Sequence, residues 1–186
     1  MKKTMLKIAV ATALAAPLSS QALIHVFQAS MNDDQEAAVF PGVVSPGLGA
    51  GTVIFDDTTN TITLSMAGGG LTSGVTNAHI HSAAPGVSGP VIFDLFGRPE
   101  FMGATQTFFF MNLGPTAFPA AEITNLLNGN TYINIHTANF GSGEIRGQLI
   151  SQLVATPIPE PETYALMVAG LGLVGWVASR RRKVGV

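Results

Sequence analysis

Hydrophobic positions follow three different patterns along this chain. Near the start, Ile8 to Leu18 form one uncharged run that is apolar almost throughout. Near the end, Thr163 to Ser179 form another. Between them the apolar residues come in short, often alternating runs rich in Val, Ile, Thr and Phe, punctuated by Gly, Pro, Asn and Asp. That middle pattern predicts strands. The runs are Leu23 to Ala29, Thr52 to Phe55, Thr61 to Met66, Asn77 to His81, Val91 to Leu95, Gln106 to Met111, Thr131 to Thr137 and Gly143 to Leu153. Asp56-Asp57-Thr58-Thr59-Asn60 reads as the turn of a hairpin. One stretch departs from the pattern: Pro119 to Leu127, with Pro at a first-turn position and Asn128-Gly129 as a stop, predicts a short helix burying Ile123, Leu126 and Leu127. The expected fold is all-β, an antiparallel Greek-key-like β-sandwich or barrel with one short helix. A signal helix precedes it and a C-terminal transmembrane helix follows.

The ends carry sorting information. Lys2, Lys3 and Lys7 precede the first apolar run, and small residues at Ser20 and Ala22 follow it. These are the parts of a cleavable secretory signal, with cleavage expected after Ala22. The run is shorter than the about 17–25 residues that a spanning helix needs. At the other end, Pro159-Glu160-Pro161 precedes the second run, and Arg180, Arg181, Arg182 and Lys183 close it. Its 17 residues would cover roughly 25 Å as a helix, a little less than the about 30 Å hydrocarbon core. The basic cluster places the extreme terminus on the cytoplasmic side and everything before Pro159 on the outer face. The chain therefore divides into a signal peptide (1–22), a β domain (23–156) and a tail (157–186) with its membrane segment at 164–179. The tail resembles the PEP-CTERM sorting signal of Gram-negative bacteria. That resemblance implies recognition by an exosortase, a membrane processing enzyme, and deposition at the cell surface or in an exopolysaccharide matrix. It also implies an inner-membrane-tethered precursor facing the periplasm, with exopolysaccharide or surface proteins as eventual partners.

Charge changes the picture of the middle. Seven of the nine basic residues lie in the two end segments, leaving Arg98 and Arg146 against nine acidic residues, a formal charge of −7 for the middle region. Nucleic acid is excluded as a partner by the lack of a basic surface. Cysteine is absent, so an exported domain of this composition must hold by packing and backbone pairing without disulfides.

Alternation locates the candidate chemistry. In Asn77-Ala78-His79-Ile80-His81 a period of two sends both imidazoles to one face and Ala78 and Ile80 to the other. Tyr132 to His136 repeats the scheme, with Ile133 and Ile135 inward and His136 on the polar face, and Glu144 to Leu149 does so again. The same residues carry a second resemblance. Ala78-His79-Ile80-His81, Gly86 to Val91, Leu127 to Thr137 and Gly143-Glu144-Ile145-Arg146-Gly147-Gln148-Leu149 are similar to the CHRD domain, and Gln35-Glu36 fits its early acidic position. The spacer Ser82-Ala83-Ala84-Pro85 lacks the Gly often found there. The resemblance implies an extracellular domain of β-sandwich type whose biochemical role is not settled.

Two readings of the histidines are open. His79 and His81 at i, i+2 stand about 6.6 Å apart along a strand, close enough for their rings to converge with His136 on one copper or zinc ion. This arrangement is similar to the copper site of copper-zinc superoxide dismutase, and such a likeness implies redox activity. The dismutase cysteines and its bridging and zinc ligands have no counterpart here. Alternatively, the three rings hold the Gly86 to Pro90 loop and the Asn139 to Ser142 turn by hydrogen bonds. Glu144 and Arg146, two apart on one strand face, are expected to form an ion pair on a polar surface patch that could also contact a glycan or protein. His25 reads as an ordinary strand residue, and Phe108-Phe109-Phe110 as core with one exposed ring. Gly68-Gly69-Gly70 lacks the Lys of a phosphate loop, and no Gly-x-Ser-x-Gly elbow occurs.

Overall fold

The computed structural model describes residues 23–103, 105–152 and 161–182. The expected signal segment with Ala22, and Pro159 and Glu160 of the tail, lie outside them. The chain forms two compact units, 1–154 and 155–186.

The first unit is a two-sheet β structure. Strands β1 (Ile24–Met31), β2 (Leu48–Asp56), β3 (Thr61–Gly69), β6 (Phe101–Gly103), β7 (Thr107–Ala117) and β10 (Ile150–Ser151) form one sheet in the order β10-β1-β2-β3-β7-β6. Strands β4 (Val75–Ser82), β5 (Val91–Asp94), β8 (Thr131–Thr137) and β9 (Ile145–Gln148) form the other, in the order β5-β4-β8-β9. All named strand pairs are antiparallel. The predicted hairpin joins β2 to β3, its turn held by Asp56 Oδ1 accepting from the Thr58 and Thr59 amides at 2.8 and 3.2 Å. Two short pieces were not apparent from the residue pattern. One is β6; the other is helix α1 (Asp33–Ala37), capped by Asn32, whose side chain accepts from the Gln35 amide.

Alternation sends one face of each sheet into a common core. Phe27, Met31, Val53, Phe55, Leu64, Phe108 and Phe110 come from the first sheet, and Ala78, Ile80, Ile133, Ile135 and Ile145 from the second, all essentially inaccessible. Each large side chain so buried contributes about 1.5–3 kcal/mol. Phe109, between two core rings, is the exposed one. The predicted helix appears as a 3-10 turn (Ala120–Glu122) running into α2 (Ile123–Leu127). Leu126 is fully buried and Ile123 packs on the core, but Leu127 is 40% exposed: a five-residue helix lays only a narrow strip on the sandwich.

The two sheets meet along one seam. Past the end of β1, Asn32 exchanges both backbone hydrogen bonds with Arg146 of β9 at 3.1 Å. The chain then changes sheets at the buried Leu149, leaving β9 to pair with β1 as β10. Such sheet-switching corners are how a sandwich becomes barrel-like. The single run expected from Gly143 to Leu153 is therefore two short strands.

The second unit contains helix α3 (Pro161–Arg182), in which Arg180 lies over the Trp176 ring at 4.2 Å. Among the described residues no helix is long and apolar enough to cross a membrane. This corrects the expected transmembrane helix at 164–179: Gly170, Gly172, Gly175 and several Ala dilute the apolar character of an already short run.

The seam depends on a missing side chain. A Cβ at Gly147 would sit 2.6 Å from the Ser30 carbonyl oxygen, a backbone atom that cannot swing aside. Gly147→Ala is expected to cost about 1–3 kcal/mol of stability, the range for overpacking, in urea unfolding. Gly114→Ala, which meets nothing within 4 Å, serves as the control. Equal midpoints for the two variants would refute the close approach at the seam.

Candidate functional site

The outward face of the four-stranded sheet carries Asn77, His79 and His81 from β4, Tyr132, Asn134 and His136 from β8, and Arg146 and Gln148 from β9. Antiparallel register sets Asn77 opposite His136, His79 opposite Asn134 and His81 opposite Tyr132. His79 and His136 are thus diagonal neighbours on one face, and the sheet brings the three expected histidines together. Ring centroids lie 5.1 Å apart for His79 and His136, 5.5 Å for His79 and His81, and 5.9 Å for His81 and His136. His25 lies elsewhere, on β1, 3.8 Å from Asp57.

This polar face is not an open surface. Every residue of β8 is buried, on both faces. Covering segments account for it: the loop after β4, the turn before β9, and helix α1. Two of the histidines hold these covers. His81 Nδ1 is 2.9 Å from the Gly89 carbonyl, and His136 Nδ1 is 3.0 Å from the Gly141 carbonyl. A carbonyl has no proton to give, so each Nδ1 carries the hydrogen and each Nε2 presents a lone pair. Gly89 can come this close because it lacks a side chain: a Cβ there would overlap the Ser82 carbonyl oxygen at 1.9 Å.

The remaining contacts among the rings are polar and incompletely satisfied. His79 Nδ1 is 3.2 Å from His136 Nε2. His81 Nε2 is buried with no hydrogen-bond partner among the described residues. His81 stacks on Tyr132 at 4.9 Å, and the Arg146 guanidinium lies 4.3 Å from the same ring. Burial pushes all three imidazoles below the ordinary histidine range. His81 falls furthest, to about 4, because desolvation outweighs its bond to Gly89. For His79, burial and then the neighbouring His136 lower the pKa while Asp94 opposes them; for His136, burial prevails over the Gly141 bond and Glu36.

The acidic and basic residues are arranged differently from the expected surface pair. Arg146 does not pair with Glu144. Its Nε donates to Glu36 Oε2 at 2.5 Å and its Nη1 to the Val87 carbonyl at 3.1 Å, and both Arg146 and Glu36 are inaccessible. Glu144 is equally buried. It accepts from the Ser45 hydroxyl at 2.5 Å, the Thr72 amide at 2.7 Å, the Thr72 hydroxyl at 3.0 Å and the Thr137 hydroxyl at 2.5 Å. Strand β9 begins only at Ile145, so the period of two does not extend back to Glu144, which instead fastens the loops at 45 and 72 to β8. Glu36 lies 110 residues from its partner. The signal that could have found it is scarcity: a buried Arg needs an acid, and Glu36 ends the one acidic cluster that precedes the second strand.

Residues 27–149 match the family model for the CHRD domain, and residues 157–183 match the PEP-CTERM protein-sorting motif. No curated protein and no solved structure matches the chain. With two thirds of its length matched, the chain belongs to the CHRD domain family. It is a CHRD-domain protein bearing a PEP-CTERM motif, which marks an exported protein sorted by an exosortase.

Two outcomes follow from the buried charges and rings. Removing one partner of a buried ion pair strands the other, so Glu36→Ala is expected to cost about 3–5 kcal/mol. Glu36→Ala with Arg146→Met is expected to recover part of that loss in denaturant unfolding; a single-variant loss below about 1 kcal/mol would contradict the burial of a paired charge. The second outcome concerns pH. A ring whose folded pKa lies below its unfolded value near 6.5 binds fewer protons when folded, so stability rises with pH across the interval between the two values. For His81 that interval runs from about 4 to 6.5. Metal-free protein should therefore melt at a lower temperature at about pH 5 than at about pH 7.5, and an unchanged melting temperature would contradict neutral, desolvated rings.

Proposed function

We propose that this chain is an exported binding or structural module, made as a precursor, sorted at its C-terminus by an exosortase, and displayed at the cell surface or in an exopolysaccharide matrix. The observation that best supports this reading is the separation of fold from tail. Every buried core residue among those described falls between Phe27 and Leu149, the last strand closes at Ser151, and the sorting motif begins at residue 157. Cleavage near Pro159-Glu160-Pro161 removes none of the sheet hydrogen bonds among the described residues.

The tail suits a brief role. A helix whose uncharged run is this short and this diluted by glycine is a weak tether, a poor permanent anchor and a good substrate for a membrane enzyme. Arg180, Arg181 and Arg182 hold its end toward the cytoplasm, which leaves the β domain on the periplasmic side before release. The mature domain, strongly acidic and free of cysteine, then meets exopolysaccharide or other surface proteins. Removal of the signal after Ala22 completes the maturation.

Intact mass spectrometry of the exported protein tests this. The expected mature species starts at Leu23 and lacks Trp176, and deleting the host exosortase leaves the tail in place. A surface-displayed form that still contains Trp176 in the presence of the exosortase would rule the processing out.

A further inference from the structure

Beyond display and sorting, the polar face of the four-stranded sheet supports a ligand assignment. We propose that His79, His81 and His136 bind one late first-row transition-metal ion, Zn2+ or Cu2+, through three imidazole nitrogens, with a further coordination position open beside the half-exposed His79. One ring nitrogen from each residue lies within 4.8 Å of those of the other two. Their orientation is the stronger argument.

The backbone fixes which nitrogen faces inward. Because the Gly89 and Gly141 carbonyls accept hydrogen bonds from the Nδ1–H groups of His81 and His136, both Nε2 atoms present lone pairs. This outer-shell arrangement, a ligating imidazole donating its other N–H to a carbonyl, is the one that metal-binding histidines use almost without exception. The 3.2 Å between His136 Nε2 and His79 Nδ1 is close to the roughly 3.3 Å span of two metal–nitrogen bonds of about 2.0 Å meeting at a tetrahedral angle. A metal ion there also accounts for His81 Nε2, an acceptor that is buried without a partner among the described residues and whose burial is otherwise a net cost. Drawing the third nitrogen from the outer limit of 4.8 Å to bonding range requires a shift of about 1 Å or more.

Donor type selects the ion. Three imidazoles without thiolate or an all-oxygen shell favour zinc and copper over calcium or magnesium. Asp94 and Glu36 stand near the rings and offset the Arg146 charge, so a divalent cation meets two carboxylates against one guanidinium. His79 is the ring without a bond to a covering loop, and the side from which an ion or an exogenous ligand enters.

The test uses the full chain, solubilised in mild detergent, stripped with a chelator and titrated calorimetrically with ZnCl2 or CuCl2. One ion per chain is expected, at or below about micromolar Kd. His79→Ala should weaken binding roughly 10-fold or more while the metal-free protein still unfolds in a single cooperative transition, and His25→Ala should bind as the parent does. Should His79→Ala not fold, electron paramagnetic resonance of the copper-loaded parent decides the matter, with nitrogen couplings from imidazole expected. Absence of saturable one-to-one binding, unchanged affinity in His79→Ala, loss of binding in His25→Ala, or a copper spectrum with oxygen donors alone would each overturn the assignment.

Discussion

The buried guanidinium of Arg146 is the constraint on which the rest of this domain turns. Taking a charge out of water costs several kcal/mol even after relaxation, so the chain must surround it with specific partners. Glu36 supplies the opposite charge, the Val87 carbonyl accepts from Nη1, and the Tyr132 ring lies under the guanidinium plane. Those partners come from α1, the loop after β4 and the centre of the sheet. Satisfying one cation therefore requires that two separate covers close over the polar face, and that closure is what buries the histidines. The same strand residue also bridges through its backbone to Asn32, so the ion pair and the seam between the sheets are one construction.

The domain consequently has two interiors of different character. Between the sheets lies an apolar one, filled by aromatic and branched side chains. Outside the smaller sheet lies a polar one, in which carboxylates, hydroxyls, imidazoles and a guanidinium are desolvated together. Just before β9, Glu144 is held in a similar way: four donors from three separate segments converge on one carboxylate. In a chain without cysteine, such knots do the fastening that disulfides provide in other exported domains.

What could be seen in the sequence divides along the same line. The apolar interior was legible because period-two alternation is local: Ala78, Ile80, Ile133 and Ile135 take the inward positions that the pattern assigns, and the strand from Thr131 to Thr137 has the bounds expected of it. The shared face of His79, His81 and His136 was legible for the same reason. The cover over that face was not, because it depends on contacts across long separations, such as Glu36 with Arg146 and Ser45 with Glu144. Alternation alone predicts an exposed polar wall with Glu144 and Arg146 side by side. It fails where the strand has not yet begun and where a remote helix supplies the better partner. The expected membrane span failed for a different reason: freedom from charge is not the same as sufficient length and apolarity.

The change of sheet at Leu149 has a mechanical consequence. A domain attached through its carboxyl end is loaded there first, and in this fold that end leaves through β10, whose two residues pair with β1. Behind β10 the strain passes through Leu149 into β9 and the opposite sheet. Tension therefore meets the two-residue edge pair of β10 with β1 first, and only then, through Leu149, the opposite sheet.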